Sequence, residues 1–463
     1  MITDKQITPV TMNLSDYVSQ LSWDGIDSTV MTHLKYCILD TIGCGIFCSE
    51  LPWGKLTIEF GKSLGTGEEA LIWGTPWRVP AHQAALVNGT MVHSFEIDDL
   101  HKVAVIHPGG IVIPAVLAMA EKKGDVDGKS LLLAILAGYE VGCRVGMVSG
   151  AIQLKKGFHP SATSGSFGAA AGVAKLLGLD GELTAHALGI AGTQTSGLMS
   201  AQYQAMAKRM NSGRSAQTGV YAGSLAQMGF TGITNVLEAE YGGFFSAFAG
   251  EVNLEDALEG LGSTFETMNV GFKCYSCCGS NHTSVDSILA LKRKHPNITL
   301  DQIRSITVHS TTSTKLHVGW DYVPSGMTGA QMNLTYAVAV AFLEGDCFID
   351  QYKEERLEDP EIMSLISKIN VIPDSQLDSL GREGRHAIRM ELELLDGTVL
   401  REERVHAKGS AHNPLNYDEV TTKFRKLVGT RFSSERVEEL ISAVLDLENC
   451  DSIHSFSQLL SEG

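Results

Sequence analysis

The chain has 463 residues, with 36 Lys and Arg against 53 Asp and Glu, for a formal charge of −17 at pH 7. Hydrophobic residues make up 44% and charged residues 19%, which excludes a disordered chain and leaves ample material for a large core. The sequence pI near 5.3 argues against nucleic acid or an anionic membrane as partner, because the long-range field repels phosphate. A small anion is not excluded, since it senses only its own pocket.

The first twenty residues show no basic n-region and no apolar h-region, so no signal peptide is expected. The apolar runs 111–120 and 131–137 fall short of the roughly 18 residues of a membrane span. Nine cysteines, an odd and sparse set, do not form a disulfide scaffold. The expectation is a reduced, cytoplasmic protein with no membrane partner.

In chain order, helical spacing of apolar residues predicts helices at 15–23 and 29–47. From 80 to 250 the chain is rich in Ala, Gly, Ser and Met with few charges. Segments such as SGSFGAAAGVAKLLG (164–178) and SAQTGVYAGSLAQMGFTG (215–232) suit helices that pack closely and are buried on all sides. Asp127 and Gly128 precede a further helix at 129–149, and GLDGE (178–182) reads as a turn. After about residue 266 the texture changes. Alternating, β-branched runs predict strands at 301–311 and 366–374, and 386–405 reads as a hairpin about Asp396-Gly397. Helices at 281–294 and 333–344 intervene, and the tail from 416 to 460 returns to helix. The expected fold is mainly α with an inserted α+β domain: residues 1–266, 267–408 and 409–463.

Four segments can carry chemistry. HSFEIDDLHKVAVIHPGG (93–110) gathers His93, Glu96, Asp98, Asp99, His101 and His107 beside an apolar run. Buried carboxylates and imidazoles at this density suit proton transfer near neutral pH, or a metal. His107-Pro108-Gly109-Gly110 reads as the turn before a helix at 111–121. GFHPSATSGSFG (157–168) places His159 before a Pro-Ser turn. KRMNSGRSA (208–216) is a tight cationic group, Lys208, Arg209 and Arg214, in a charge-poor region, with Asn211-Ser212-Gly213 read as a helix N-cap; such a group suits a carboxylate. GFKCYSCCGSNH (271–282) holds Cys274, Cys277, Cys278 and His282. With no second ligand pair elsewhere, this set does not easily close a metal site, so none is expected. Lys273, flanked by Phe272 and Tyr275, suits an acid or an anion partner.

Together, FEIDDLH…HPGG, KGFHPSATSGSFGAAAGVAKLLGL, KRMNSGRSAQTGVYAGSLAQMGFTG, FKCYSCCGSNHTS and QMNLTYAVAVAFLEG (331–345) resemble the MmgE/PrpD family, in consistent order along nearly the whole chain. The resemblance implies a helical domain, completed by the extreme C-terminus, with an inserted α+β lid. It also implies a homodimer, no cofactor, and a small anionic carboxylate bound between the domains. Activities in the family are 2-methylcitrate dehydration, cis-aconitate decarboxylation and iminodisuccinate epimerisation. By position it assigns Asp98, Asp99, His107, His159, Lys208 and Lys273 to catalysis, with Glu96 in the acidic loop. His101, Arg209, Arg214, Tyr275 and Cys278 complete the expected substrate contacts. Three features depart from the decarboxylase branch: Glu96 in place of Asp, one extra residue between Asp99 and His107, and Cys278 in place of His. The leading expectation is therefore a cofactor-independent hydro-lyase on a di- or tricarboxylate such as 2-methylcitrate. An epimerase, a decarboxylase and a non-catalytic carboxylate-binding protein are the alternatives.

Overall fold

The computed structural model describes residues 8–203 and 205–461. Residues 1–7, within the stretch where no leader pattern was found, lie outside the described residues. The predicted helices are present, mostly longer than their periodicity indicated: Val10–Gln20, Ser28–Cys48, Gly109–Lys123 and Gly128–Lys155. Asp127 caps the last of these by accepting from the Ser130 N–H at 2.7 Å. At 28 residues Gly128–Lys155 is long and apolar enough to cross a membrane by length and composition, against the expectation that no such stretch exists. Its most apolar window is 89% buried in the fold, as befits a core helix.

Small residues let this helix and its neighbours approach closely. A Cβ on Gly138 would lie 2.8 Å from the Gly168 carbonyl oxygen, and one on Gly168 would lie 2.7 Å from that of Gly138. The same device brings Ala207–Gln227 against Ala81–Val92. There a Cβ on Gly213 would lie 2.2 Å from the Leu86 carbonyl oxygen. The helix pair therefore meets backbone to backbone, and Lys208 and Arg209 are carried to the chain segment that follows Val92.

The predicted strands form one four-stranded sheet in the order Ile369–Pro373, Ile303–Ser310, Ile388–Leu394, Val399–Arg404. The first pair is parallel and the others are antiparallel. The expected hairpin is present, with Gly397 at φ 89° in its turn. Helices His282–Lys294 and Leu334–Glu344 belong to this part. A two-residue ladder, Leu100–His101 against Val270–Gly271, ties the acidic loop to the segment that opens the sheet domain. After the sheet, the helix Tyr417–Val428 begins with a capping box between Asn416 and Glu419 and packs back on Ser28–Cys48. From it the buried Lys423 ammonium donates to Asp40 Oδ1 at 2.6 Å and to the Ile97 carbonyl, seating the acidic loop from below.

Candidate active site

The acidic loop crosses the interior rather than the surface: His93, Glu96, Asp98, Asp99 and His101 are all buried. Two of its residues hold left-handed backbone without being glycine, Glu96 at φ 56° and Val105 at φ 59°. Strain of this kind is retained only where the surroundings impose it, commonly at functional sites.

Asp98 is the hub. Its Oδ2 accepts from His93 Nδ1 at 2.7 Å and lies 3.3 Å from His107 Nδ1, and its Oδ1 accepts from Lys273 at 3.4 Å. Glu96 bridges two ammonium groups, Lys208 on Oε1 and Lys273 on Oε2, the latter at 3.3 Å. Burial pushes both carboxyls up. For Glu96 the adjacent Lys208 and Lys273 outweigh burial, and for Asp98 the neighbouring His107 and His93 rings and the Lys273 ammonium do, so both sit well below the usual range. The same two carboxylates hold the Lys273 ammonium above its ordinary value despite burial. The result is a buried, charge-balanced quartet: two carboxylates and two ammonium groups.

Hydrogen bonding fixes what each imidazole presents. His107 Nδ1 lies 2.7 Å from the Asp99 carbonyl oxygen, which only accepts, so Nδ1 carries the proton and Nε2 offers a lone pair. His159 Nδ1 faces the Asn211 amide nitrogen at 3.0 Å and accepts from it, which leaves Nε2–H as a donor. Burial, with Lys208 nearby, holds His159 well below its ordinary value, and burial brings His93 down to about 4. Both are therefore neutral at pH 7. One imidazole lone pair and one imidazole N–H donor thus face one pocket.

That pocket is narrow, about 50 Å³, and is lined by Glu96, His107, His159 and Lys208 from the helical part. Lys273, Cys278, Ser280, His317, Arg385 and His386 line it from the sheet part. The last four were not anticipated; His93, named in the acidic cluster, was given no catalytic or binding role. Cys278 Sγ lies 3.9 Å from His317 Nδ1, and Ser280 Oγ lies between His317 at 3.3 Å and His386 at 3.2 Å. Burial pushes the Cys278 thiol up, but His317 and Lys273 outweigh it and bring it down to about 6.

Several expected site residues serve elsewhere. Asp99 accepts from the Gly109 N–H at 3.0 Å and from Tyr139 at 2.9 Å, so it caps the helix Gly109–Lys123; burial and the neighbouring Asp40 push its carboxyl up. His101 faces a different cavity, its Nε2 on Glu266 at 3.1 Å. Tyr275 donates to Asp286 at 2.6 Å in a third cavity. Arg209 is buried over the Trp53 ring, 3.9 Å from its centroid, and donates to Thr328. Arg214 is exposed and donates to Gln217 on its own helix. Asn211-Ser212-Gly213 is not an N-cap: the helix begins at Ala207, and the Asn211 side chain orients His159 instead.

Among the described residues, the one group placed to hold a metal is His93, His107 and His159, whose ring nitrogens lie within 4.8 Å of one another. The Lys208 ammonium, 3.5 Å from His93 Nε2, opposes a second cation there. The three clustered cysteines diverge: Cys274 donates to the Lys408 carbonyl, Cys277 neighbours the free thiol of Cys347, and Cys278 faces His317.

The MmgE/PrpD N-terminal domain family matches residues 12–256, and the MmgE/PrpD C-terminal domain family matches 275–449. A cis-aconitate decarboxylase-like protein, oryM, of Aspergillus oryzae is 32% identical, over 98% of this chain and 97% of its own length. A cis-aconitate decarboxylase of Aspergillus terreus is also 32% identical, over 98% and 96%. A 2-methylcitrate dehydratase of Escherichia coli is 24% identical, over 94% and 93%.

Proposed function

We propose, from the premise that this chain belongs to the MmgE/PrpD family, that it is a lyase of small polycarboxylates whose reaction is loss of CO₂ from an unsaturated tricarboxylate of the cis-aconitate type. The balance between decarboxylase and hydro-lyase shifts with likeness. Relatives named cis-aconitate decarboxylase are 32% identical, against 24% for one named 2-methylcitrate dehydratase.

The observation that carries the reading is that Glu96, Lys208 and Lys273, with Asp98 behind them on Lys273, face His107 and His159 across one narrow pocket. In the proposed reaction the bond to the departing carboxylate breaks and its electron pair becomes a new double bond. The pair of the former double bond takes a proton. Negative charge builds beside a retained carboxylate, where preorganised ammonium groups are most effective. The His159 N–H is a proton-bearing group at hand, and His107 offers a lone pair. The complementary pair His107 and His159 supports dehydration as the second reading. A base would remove the proton next to a carboxylate, and an acid would protonate the leaving hydroxyl.

Incubation with cis-aconitate, 2-methylcitrate and iminodisuccinate, followed by proton NMR, separates the readings. Release of CO₂ with a new terminal alkene is the expected result with cis-aconitate. Water loss from 2-methylcitrate alone would assign a hydro-lyase, and proton exchange alone an epimerase. Ligand shifts without turnover would assign a binding protein. His159→Ala and Lys208→Ala should each lower turnover by about 10²-fold or more. Near-normal rates in both would overturn the site. Turnover should survive EDTA; a loss restored by zinc would give the three imidazoles a metal.

A further inference from the structure

The quartet balances its own charge, so it leaves no spare cation for the remote carboxylates of a di- or trianion. Two further cations, Arg385 and Lys102, line the same pocket. Arg385 lines both the narrow inner pocket and an outer cavity of about 670 Å³, together with Lys102, Leu154, Met199 and His317. These five residues mark the junction of the two spaces. Arg385 Nε is enclosed and has no hydrogen-bond partner. The charged group that acts on Arg385 is the Cys278 thiolate rather than a carboxylate.

Burial holds the Lys102 ammonium below its ordinary value, Glu383, whose carbonyl it meets, supports it in part, and Arg385 stands close enough to disfavour it further. His386, beside them, feels Arg385, Lys102, His317 and His282, all of one sign. The rim of the outer cavity adds Lys155 and Arg382 against the single acid Asp378. Like charges gathered at a junction raise the energy of the empty site and are relieved when an anion enters between them.

We propose that Arg385 and Lys102 form a second carboxylate subsite, which receives the carboxylate remote from the reacting carbon as substrate passes from the outer cavity into the inner pocket. This rests on the polycarboxylate reading above. The planar guanidinium suits bidentate capture of a carboxylate, with Lys102 as a point charge beside it.

The test uses Arg385→Gln, Arg385→Lys and Lys102→Gln in the full chain, each checked for wild-type circular dichroism and thermal midpoint. Binding of cis-aconitate and of inorganic phosphate is measured by calorimetry, alongside steady-state kinetics. For Arg385→Gln, the dissociation constant and KM for the tricarboxylate should rise about tenfold or more, the scale of one charge-assisted hydrogen bond, with a smaller fall in kcat. Arg385→Lys should recover part of the loss. Tricarboxylate should bind far more tightly than phosphate, which can occupy only the one subsite. Binding without turnover in the wild type, weakened in Arg385→Gln, would overturn the reaction but support the subsite. Turnover with KM unchanged in Arg385→Gln and Lys102→Gln would overturn the subsite alone. A wild type that binds neither anion would overturn both.

Discussion

Cys278 and His317 form a thiol–imidazole pair in the wall of the inner pocket. Because the thiol is brought down to about 6, its thiolate is present at neutral pH and is lost as pH falls through that value. Burial pushes Cys37, Cys44, Cys143 and Cys277 up, and Cys274 up to about 12, so those thiols stay protonated at pH 7. Iodoacetamide labelling, read by peptide mapping, should therefore mark Cys278 with a rate that rises between pH 5 and 7 and then levels. His317→Ala should move that rise to higher pH. A rate that climbs only above pH 8 in the wild type would overturn the pairing. At this scale the sequence was a partial guide. It identified Glu96, Asp98, His107, His159, Lys208, Lys273 and Cys278, all of which converge. It missed where neighbouring side chains point. Successive residues of the ladder Leu100–His101 face opposite ways, so His101 turns toward Glu266 and away from the inner pocket, however near it stands to Asp98 in sequence. His317, Arg385 and His386 carry no local signal, because only the packing of the sheet domain brings them to the pocket.

At the scale of elements, the hairpin was legible because Asp-Gly between alternating runs is a local instruction, and Asp127 announced its helix in the same way. The start of Ala207–Gln227 was not legible: its first residue follows Met206, and no side chain caps it. Polar Asn211 and Ser212 resemble a cap but lie inside the helix, where Asn211 serves His159. Gly213, which helped suggest that false start, is needed for a different reason. Gly to Ala in a helix normally gains about 1 kcal/mol. Here the new Cβ would stand 2.2 Å from a backbone oxygen and 2.3 Å from Thr90 Oγ1. The overpacking cost of about 1–3 kcal/mol wins. Gly213→Ala should lower the thermal midpoint and reduce kcat/KM by tenfold or more, because the shifted helix carries Lys208. A raised midpoint would show that the helix pair yields freely.

For the whole molecule, the formal charge of −17 describes the surface and not the pocket. The expected gathering of Lys208, Arg209, Arg214 and Lys273 is half right. Lys208 and Lys273 meet on Glu96, whereas Arg209 and Arg214 point elsewhere. Arg214 instead lies on an outward stripe of Ala207–Gln227. With Met206, Met210, Tyr221 and Met228 it falls within about a quarter of a helical turn. Met228 is 82% exposed and Phe230, just beyond, 61%. Apolar and Met-rich surface with an Arg at its edge has the composition of a protein interface. We propose that this stripe joins two copies of the chain. Light scattering should give a dimer mass for the wild type and a monomer mass for Met228→Glu combined with Phe230→Glu; a monomeric wild type would overturn the proposal.

The seating of the acidic loop by Lys423 bears on when the protein becomes active during its synthesis. Every reactive group of the inner pocket has been translated by His386. The ammonium that holds Asp40 and the Ile97 carbonyl comes from a helix 37 residues later. A ribosome-bound chain stopped between these points would own all of its chemistry without the cation that compensates buried Asp40, and removing one partner of such a pair costs about 3–5 kcal/mol. Competence thus arrives with the helix Tyr417–Val428 rather than with the last reactive residue.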